Sequence, residues 1–563
     1  MIRKIPSWPA REGEPRDHHS PKSKLLPATE QGPGRASLVF GAAADFFANR
    51  PGVLAFVYVL AFLPVTLLLS SRTPLTSDEI FTVYTSRLSS VQEIWHVLAQ
   101  GFDLQPPLIF LATRYSQALF GNSEWAIRLP ETIGVLAMGL CLMTFVARRT
   151  NAIWGFLTAV FVSLTGAYPF AINARPYGLV LGFSGAALVS WQSSAGGRLR
   201  RPALLCLGVS LALAVSTHYY AGLILIPLAA GEATRNLANR RLDMPVWAAF
   251  GASIASLLLC LPLLRQAMSV VAGWQAAYLK PASLWNTYAA LASNQTAIGM
   301  VFLLAVAAAT NRAAAAVRRA TPFPPAETVA AAGFLLLPAA GFVLAWAVTH
   351  NLTGRYVIGV TMGAALLYAL MAHRLTGGNS RGGFALAILL VGVFAAHVAV
   401  GVRSASLEGA EPVVVDSQYA DLPVVVGSGL DFPAAWYYAS STLRSRLVFV
   451  SEPELAARYS PGGVGGWTNS SIAAAAPVFH WRVQRLAEFR PGHRRFLLSW
   501  TAGERWMLPV YLEFGARIEP LLIDGQCSLF LITDEASGMP AKEPEDRSSA
   551  RNYCRKPESS VNS

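Results

Sequence analysis

Residues 52–80 read GVLAFVYVLAFLPVTLLLSSRTPLTSDEI, and the junction of its two halves decides the reading of the chain. The first half, 52–71, is almost wholly apolar and has the roughly 20 residues that a helix needs to cross a bilayer. A few residues on come two adjacent carboxylates, Asp78 and Glu79. A third, Asp103, follows in Asp103-Leu104-Gln105-Pro106-Pro107-Leu108. Charged groups near lipid are costly, so acids gathered at the mouth of a span are candidates for function. The same pair also reads as the cap of the next helix, since Ser or Asp before an apolar run is a common helix start. Both readings stay open at this point.

Composition agrees with the first half. Hydrophobic residues make up 53% of the 563, charged residues only 14%, and aromatics 10% with 14 Trp. Soluble chains carry about 25% charge, so the deficit points to a surface that faces lipid. The net charge of +13 raises nucleic acid as a partner. That class is excluded, because the basic residues lie in short clusters between apolar runs, the pattern of cytoplasmic loops. Of five cysteines, Cys141, Cys206 and Cys260 lie in apolar runs. No Cys-x-x-Cys spacing marks a zinc or redox site. Cys527 and Cys554 are left as a pair that geometry alone could decide.

Candidate spans fall at 52–71, 126–147, 151–169, 177–194, 202–219, 220–232, 246–266, 297–311, 328–349, 356–373 and 383–402. The count is about eleven, since some runs are short for a bilayer. The stretch 107–120 reads as an interfacial or re-entrant helix. Residues 1–50, rich in Pro, Arg and Lys, read as a disordered tail without a cleavable signal. The positive-inside rule makes that tail cytoplasmic. Alternation then puts Arg148 and Arg149, the Arg198–Arg201 cluster, Arg235–Arg241, Arg312–Arg319 and Arg374–Arg381 on the same side. The loops 72–125, 170–176, 217–220, 267–296 and 350–355 fall on the other. The expected fold is an α-helical polytopic membrane protein with a transmembrane region over 51–402. A C-terminal extracytoplasmic α/β domain is expected over 403–535, with 536–563 a disordered tail. Its strand-like runs lie at 412–415, 423–426, 446–450, 495–498 and 528–532. The turn Val426-Gly427-Ser428-Gly429 lacks the third glycine of a dinucleotide fingerprint.

One face thus collects the polar residues. Asp78, Glu79 and Asp103 share it with Arg175 and Tyr177 of Asn173-Ala174-Arg175-Pro176-Tyr177, with His218, Tyr219 and Tyr220, and with Arg355 and Tyr356. Arg175 and Arg355 are the only Lys or Arg in loops 170–176 and 350–355. Their guanidinium forks suit phosphate, while each alone also reads as an arginine snorkelling to lipid headgroups.

The Asp-Glu pair in the first outer loop, the Asp-x-x-Pro-Pro-Leu segment and Trp125-Ala126-Ile127-Arg128-Leu129-Pro130 together resemble the GT-C membrane glycosyltransferases. The likeness is to the branch of protein O-mannosyltransferases, aminoarabinose transferases and rhizobial lipopolysaccharide glycosyltransferases. Ala174-Arg175-Pro176-Tyr177 and Thr217-His218-Tyr219-Tyr220 resemble the bacterial members. The resemblance covers about residues 50–375. One departure is Gln105, where many relatives have His before the Pro-Pro pair, so a role for that His does not carry over.

The resemblance implies transfer of a sugar from a polyprenyl-phosphate donor to an acceptor hydroxyl on a lipid, glycan or protein of the cell envelope. The plasma (inner) membrane is the expected location, with lipopolysaccharide among the acceptors. It implies Asp78 as general base, Glu79 as orienting that base or the acceptor, and Asp103 as supporting the site or contacting the sugar. Arg175 and Arg355 bind the donor phosphate, with Tyr177, His218 and Tyr356 beside them. The three carboxylates leave room for a divalent metal without specifying one. The alternative is a transporter or flippase of lipid-linked sugars. Such a protein carries its ionisable groups near mid-membrane.

Overall fold

The structure is a computed structural model. It describes residues 35–272, 281–291, 294–310, 323–350, 352–405, 417–460, 464–501, 506–523 and 527–534. Residues 1–34, the strand-like run 412–415, the Arg312–Arg319 cluster, Cys554 and the tail 536–563 lie outside them.

The helices run in chain order as α1 (Arg35–Ala48), α2 (Pro51–Arg72), α3 (Ser77–Ser86), α4 (Val91–Ala99), α5 (Leu108–Phe120) and α6 (Glu124–Ala147). Next come α7 (Ala152–Val162), α8 (Tyr177–Ser193), α9 (Arg200–Thr217), α10 (Leu225–Asn239), α11 (Met244–Leu259) and α12 (Leu261–Ala272). They continue with α13 (Pro281–Leu291), α14 (Asn294–Thr310), α15 (Pro325–Leu335), α16 (Leu337–Leu344), α17 (Val360–Leu375) and α18 (Ser380–Ser404). Helix α1 replaces part of the expected disordered tail. Its stretch is rich in Ala and Phe and free of the prolines that fill the residues before it.

Each expected apolar run falls on a helix or a bent helix pair. Among the described residues, α2, α6, α9 and α18 are each long and apolar enough to cross a membrane. The pairs α11–α12 and α15–α16 are long and apolar enough only when taken together, bent by 67° and 53° as a broken span or a re-entrant loop. Several other runs are cut short, and always at a telling place. The run 151–169 gives α7, which stops at Val162 and is followed by a 3-10 segment at Tyr168–Ile172. The run 220–232 begins as 3-10 at Tyr219–Ile224, and 356–373 begins as 3-10 at Gly354–Val357. These three segments immediately precede or contain the Arg175, Tyr219 and Arg355 regions. 3-10 turns are common at helix ends and as connectors.

Polar groups gather at two ends of the bundle. At one, Arg149 pairs with Glu327 at 2.6 Å, and Arg200 with Asp243 at 2.7 Å. There Arg148 donates to Gln192 and Ser193, and Arg235 donates to Ser194. At the other lie Asp78, Asp103, Arg175, His218 and Arg355. Helix α6 joins the two, with Arg128 near its start and Arg148 just past its end. Twenty residues at 1.5 Å rise separate them by about 30 Å, close to the thickness of a hydrocarbon core. This is an integral membrane protein.

The C-terminal part is the expected α/β structure, with a six-stranded sheet in the order β3-β2-β1-β4-β6-β5. Its strands are β1 (Val424–Val426), β2 (Leu447–Ser451), β3 (Val483–Arg485), β4 (Arg495–Thr501), β5 (Arg517–Ile523) and β6 (Cys527–Thr533). The first four are parallel, and β6 runs antiparallel to both of its neighbours, β4 and β5. Alternate residues of the inner strands fill two cores. Val424, Val426 and Phe449 face one side, and Val425, Val448 and Val450 the other. Burial on both faces explains why these strands read as unbroken apolar runs. Helices α19 (Phe432–Tyr438), α20 (Ser441–Arg444), α21 (Pro453–Tyr459), α22 (Val464–Phe479), α23 (Leu486–Gly492) and α24 (Met507–Glu513) complete it. The first core also takes in Phe81 and Phe102, from α3 and the loop ahead of α5, so the sheet region seats on the carboxylate-bearing loop.

Candidate active site

Helix α3 begins at a capping box. The Glu79 side chain reaches back to the backbone N–H of Thr76, which donates to Oε2 at 2.8 Å. Acids in a first turn also complement the helix dipole. The helix-cap reading therefore holds for Glu79. Its carboxylate does more than cap. Arg128 of α6 donates from Nε to Oε1 at 2.7 Å and from Nη2 to Oε2 at 2.8 Å. The backbone N–H of Ala174 donates to Oε1 at 2.7 Å. Arg128 spends its remaining donors on the carbonyls of Ser70, Thr73 and Pro74. Both side chains are buried, 0% and 1% exposed. One ion pair thus ties together the end of α2, the start of α3, α6 and the loop that carries Arg175. Both Glu79 oxygens are committed to these partners, so its place is behind α3, holding the helix that carries Asp78.

Asp78 faces the other way. Its side chain is 37% exposed, and Arg355 donates from Nη1 to its Oδ2 at 2.6 Å. Burial pushes the Asp78 carboxyl up, but Arg175 and Arg355 outweigh it and hold it below the usual carboxylate range. Asp103 is buried and receives Arg175 Nη1 at 2.7 Å on Oδ2. The backbone N–H of Gln105 donates to its Oδ1. Arg175 Nη1 also lies 3.2 Å from the Asp78 carbonyl and 3.4 Å from Thr82 Oγ1. Burial disfavours the Arg175 charge, and Asp103 with Asp78 more than offsets that. Two acids and two arginines thus form one cluster. The Nε–H groups of Arg175 and Arg355 are buried and have no hydrogen-bond partner among the described residues. Leaving such donors unmet is expensive, so each arginine keeps a donor for a further acceptor.

The Arg175 loop is held in place by close helix packing. A Cβ on Gly178 would lie 2.6 Å from the Glu131 carbonyl, and one on Gly134 2.3 Å from the Gly178 carbonyl. Only glycine lets α6 and α8 approach this far. The N–H of Leu179 donates to Glu131 Oε2 and fixes the first turn of α8.

Beside the arginines stands an aromatic wall. His218 Nδ1 accepts from the backbone N–H of Tyr220 at 3.1 Å. The proton of the neutral ring therefore sits on Nε2, available as a donor. The ring lies 5.3 Å from Tyr177 and 5.1 Å from Tyr356 between centroids. The Arg355 guanidinium lies 5.8 Å from the Tyr177 ring. This wall closes one end of a cavity of about 340 Å³. The rest of it is apolar, with Leu257, Leu264, Met268 and Leu344 among its lining, drawn from α11, α12 and the end of α16. Gln105 Oε1 and Tyr219 OH line or border it without a hydrogen-bond partner among the described residues. The geometry thus sets a paired acid–arginine cluster and an aromatic wall beside an apolar cavity, with the half-exposed Asp78 in the cluster.

The structure brings together Asp78, Asp103, Arg175, Tyr177, His218, Arg355 and Tyr356, all expected from sequence, and withdraws Glu79 behind them. Each of the three carboxylates is engaged by an arginine, and no group of three or more His, Cys, Asp or Glu suited to a metal occurs among the described residues. Sequence reasoning quoted the Arg128 motif but gave the residue no task. Its signal was an arginine just inside an apolar helix, which needs a buried partner.

The family described as dolichyl-phosphate-mannose-protein mannosyltransferase matches residues 104–265, under half of the chain. The crystal structure of ArnT from Cupriavidus metallidurans bound to undecaprenyl phosphate superposes with a TM-score of 0.52 at 13% identity. That match covers 86% of this chain and 99% of ArnT. The chain has the GT-C fold. An oligosaccharyltransferase from Archaeoglobus fulgidus, in complex with zinc and sulfate, gives a TM-score of 0.42 at 11% identity, over 80% of this chain and 68% of that one. No curated protein sequence matches. In this GT-C fold the family match opens at Leu104, beside Asp103, and spans Arg128, Arg175 and His218.

Proposed function

We propose that this protein is a membrane glycosyltransferase that moves a sugar from a polyprenyl-phosphate donor to an acceptor hydroxyl. The observation that carries the reading is an apolar cavity lined by His218 and Tyr356, whose rings pack with Tyr177 beside Arg355 and its partner Asp78. The apolar cavity suits a polyprenyl chain, and the arginines suit its phosphate. ArnT, whose fold this chain has, was crystallised with undecaprenyl phosphate.

In the proposed reaction the acceptor oxygen attacks the anomeric carbon of the sugar. The bond from that carbon to the phosphate oxygen breaks, and its electrons leave with the phosphate. Arg175, Arg355 and the Nε2–H of His218 stabilise the charge that develops there. The acceptor proton passes to Asp78. Asp103 holds Arg175 and borders the sugar, and its charge favours an oxocarbenium-like centre. Glu79 acts only by fixing the start of α3. In the free protein Arg355 is bound to Asp78. Donor phosphate competes for Arg355, so that binding of the donor frees the base. Catalysis is assigned to the extracytoplasmic face of the plasma membrane, with the N-terminus cytoplasmic and the α/β part outside. Lipid, glycan and protein of the cell envelope are the acceptor classes.

The test is transfer of labelled sugar from polyprenyl phosphate by purified protein in nanodiscs. Asp78→Asn should lower transfer by about 10²–10⁴-fold, the usual weight of a general base. Wild-type rates in that variant would remove Asp78 from the mechanism. Masses of envelope glycolipids and glycoproteins from a deletion strain would identify sugar and acceptor.

A further inference from the structure

We propose that the C-terminal α/β part is a positioning element of the active site, acting on Asp78 through Asp431 and on Asp103 through Trp467. The proposal rests on the glycosyltransferase reading above. Its observation is where the contacts fall. Ser77, the residue before Asp78, donates from Oγ to Asp431 Oδ1 at 3.0 Å. Two residues earlier still, the N–H of Leu75 donates to Tyr438 OH at 2.7 Å. On the second loop, Trp467 of α22 donates from Nε1 to the carbonyl of Gly101 at 2.8 Å. Gly101 has a φ of +81° and turns the chain two residues ahead of Asp103. Between them sits Phe102, only 1% exposed, with its ring 5.2 Å from Phe479 and 5.9 Å from Trp481. The α/β part therefore grips the chain immediately ahead of both carboxylates.

The physical consequence is distance control. Asp78 lies on α3 and Asp103 on the loop ahead of α5, and the arginines fix only their inner ends. Asp431 and Trp467 fix the outer ones. Misplacing a reacting group by about 1 Å costs on the order of 100-fold in rate, so loss of one such restraint should show in turnover and not in donor binding.

Three variants test this in nanodiscs. Trp467→Phe keeps the ring and deletes the N–H donor. Asp431→Ala deletes the acceptor, and Asp431→Asn keeps an acceptor oxygen. Trp467→Phe and Asp431→Ala should each lower kcat about tenfold, a fraction of the 1 Å penalty. The KM for the donor and the Kd for undecaprenyl phosphate should stay near wild type, and Asp431→Asn should restore most of kcat. Hydrogen exchange should rise at the amides of 76–80 in the Asp431 variant and of 101–105 in the Trp467 variant. Unchanged kcat with unchanged exchange would overturn the proposal, as would Asp431→Asn failing as badly as Asp431→Ala. If the wild type itself transfers no sugar, the function reading fails, and the exchange data alone decide whether these residues hold the two loops.

Discussion

Asp78 and Glu79 are joined by one peptide bond, yet they belong to different regions of the molecule. Glu79 lies in a frame behind α3, sealed against Arg128 with both side chains at or near zero exposure. Asp78 lies at a mouth in front of α3, against Arg355, with both side chains more than a third exposed. The chemistry of the two pairs is the same. Their surroundings differ, and with them the consequences of breaking each. A buried pair that loses one partner leaves a charge with nothing to solvate it. A pair open to water loses little. The difference teaches that the frame holds the site in shape and that the mouth is where a substrate can compete for charge.

The sharpest way to break this comparison is Arg128→Ala. It strands the Glu79 carboxylate and should cost about 3–5 kcal/mol of stability, read as a large drop in melting temperature in detergent. Asp78→Asn should move the same melt by less than about 1 kcal/mol. Equal losses in the two variants would show that the frame and the mouth are not distinct.

Arg175 occupies an intermediate place, since it is buried like the frame but belongs to the acid–arginine cluster. Arg175→Ala should lose both stability and donor affinity, because it leaves Asp103 buried and unpaired. Arg355→Ala should weaken donor binding by about 1.5–3 kcal/mol, the value of a charged hydrogen bond, with the melt near wild type. Arg355→Lys should recover only part, having lost the planar fork. Binding isotherms with undecaprenyl phosphate and melts on the same samples separate the two arginines.

The smallest expected effect is in pH dependence. Asp78 must be ionised to act as base, and its arginines hold its pKa low in the free protein. Activity should therefore survive mild acid and fail only as pH falls through that depressed value. When donor phosphate takes Arg355 and adds its own negative charge, the Asp78 pKa should rise. The acid limb of kcat, which reports the complex, should then lie at higher pH than that of kcat/KM, which reports the free enzyme. Coincident limbs would mean that Arg355 stays on Asp78 throughout.

Much of this was legible in the sequence, and the gaps have causes. The apolar runs located the helices because every spanning helix must satisfy its backbone internally and show lipid an apolar surface. They did not show where those helices stop. The 3-10 segments at Tyr168–Ile172 and Tyr219–Ile224 are themselves mostly apolar and continue the neighbouring runs, so hydropathy does not mark them off from helix. Four strands followed expected apolar runs. Strand β3 was missed because it is three residues long and half-exposed, and β5 because Pro520 interrupts it at a register shift on the sheet edge.

By itself the sequence determined the membrane class, the C-terminal α/β part and the set of acids and arginines at one face. Those follow from composition, run length and residue type, which are local properties. It could not say which of two neighbouring carboxylates is reachable. That depends on Arg128, distant along the chain, and on Arg355, far beyond it, arriving on opposite sides of α3. Burial sets the energy of a charge, and burial is decided only when distant segments pack.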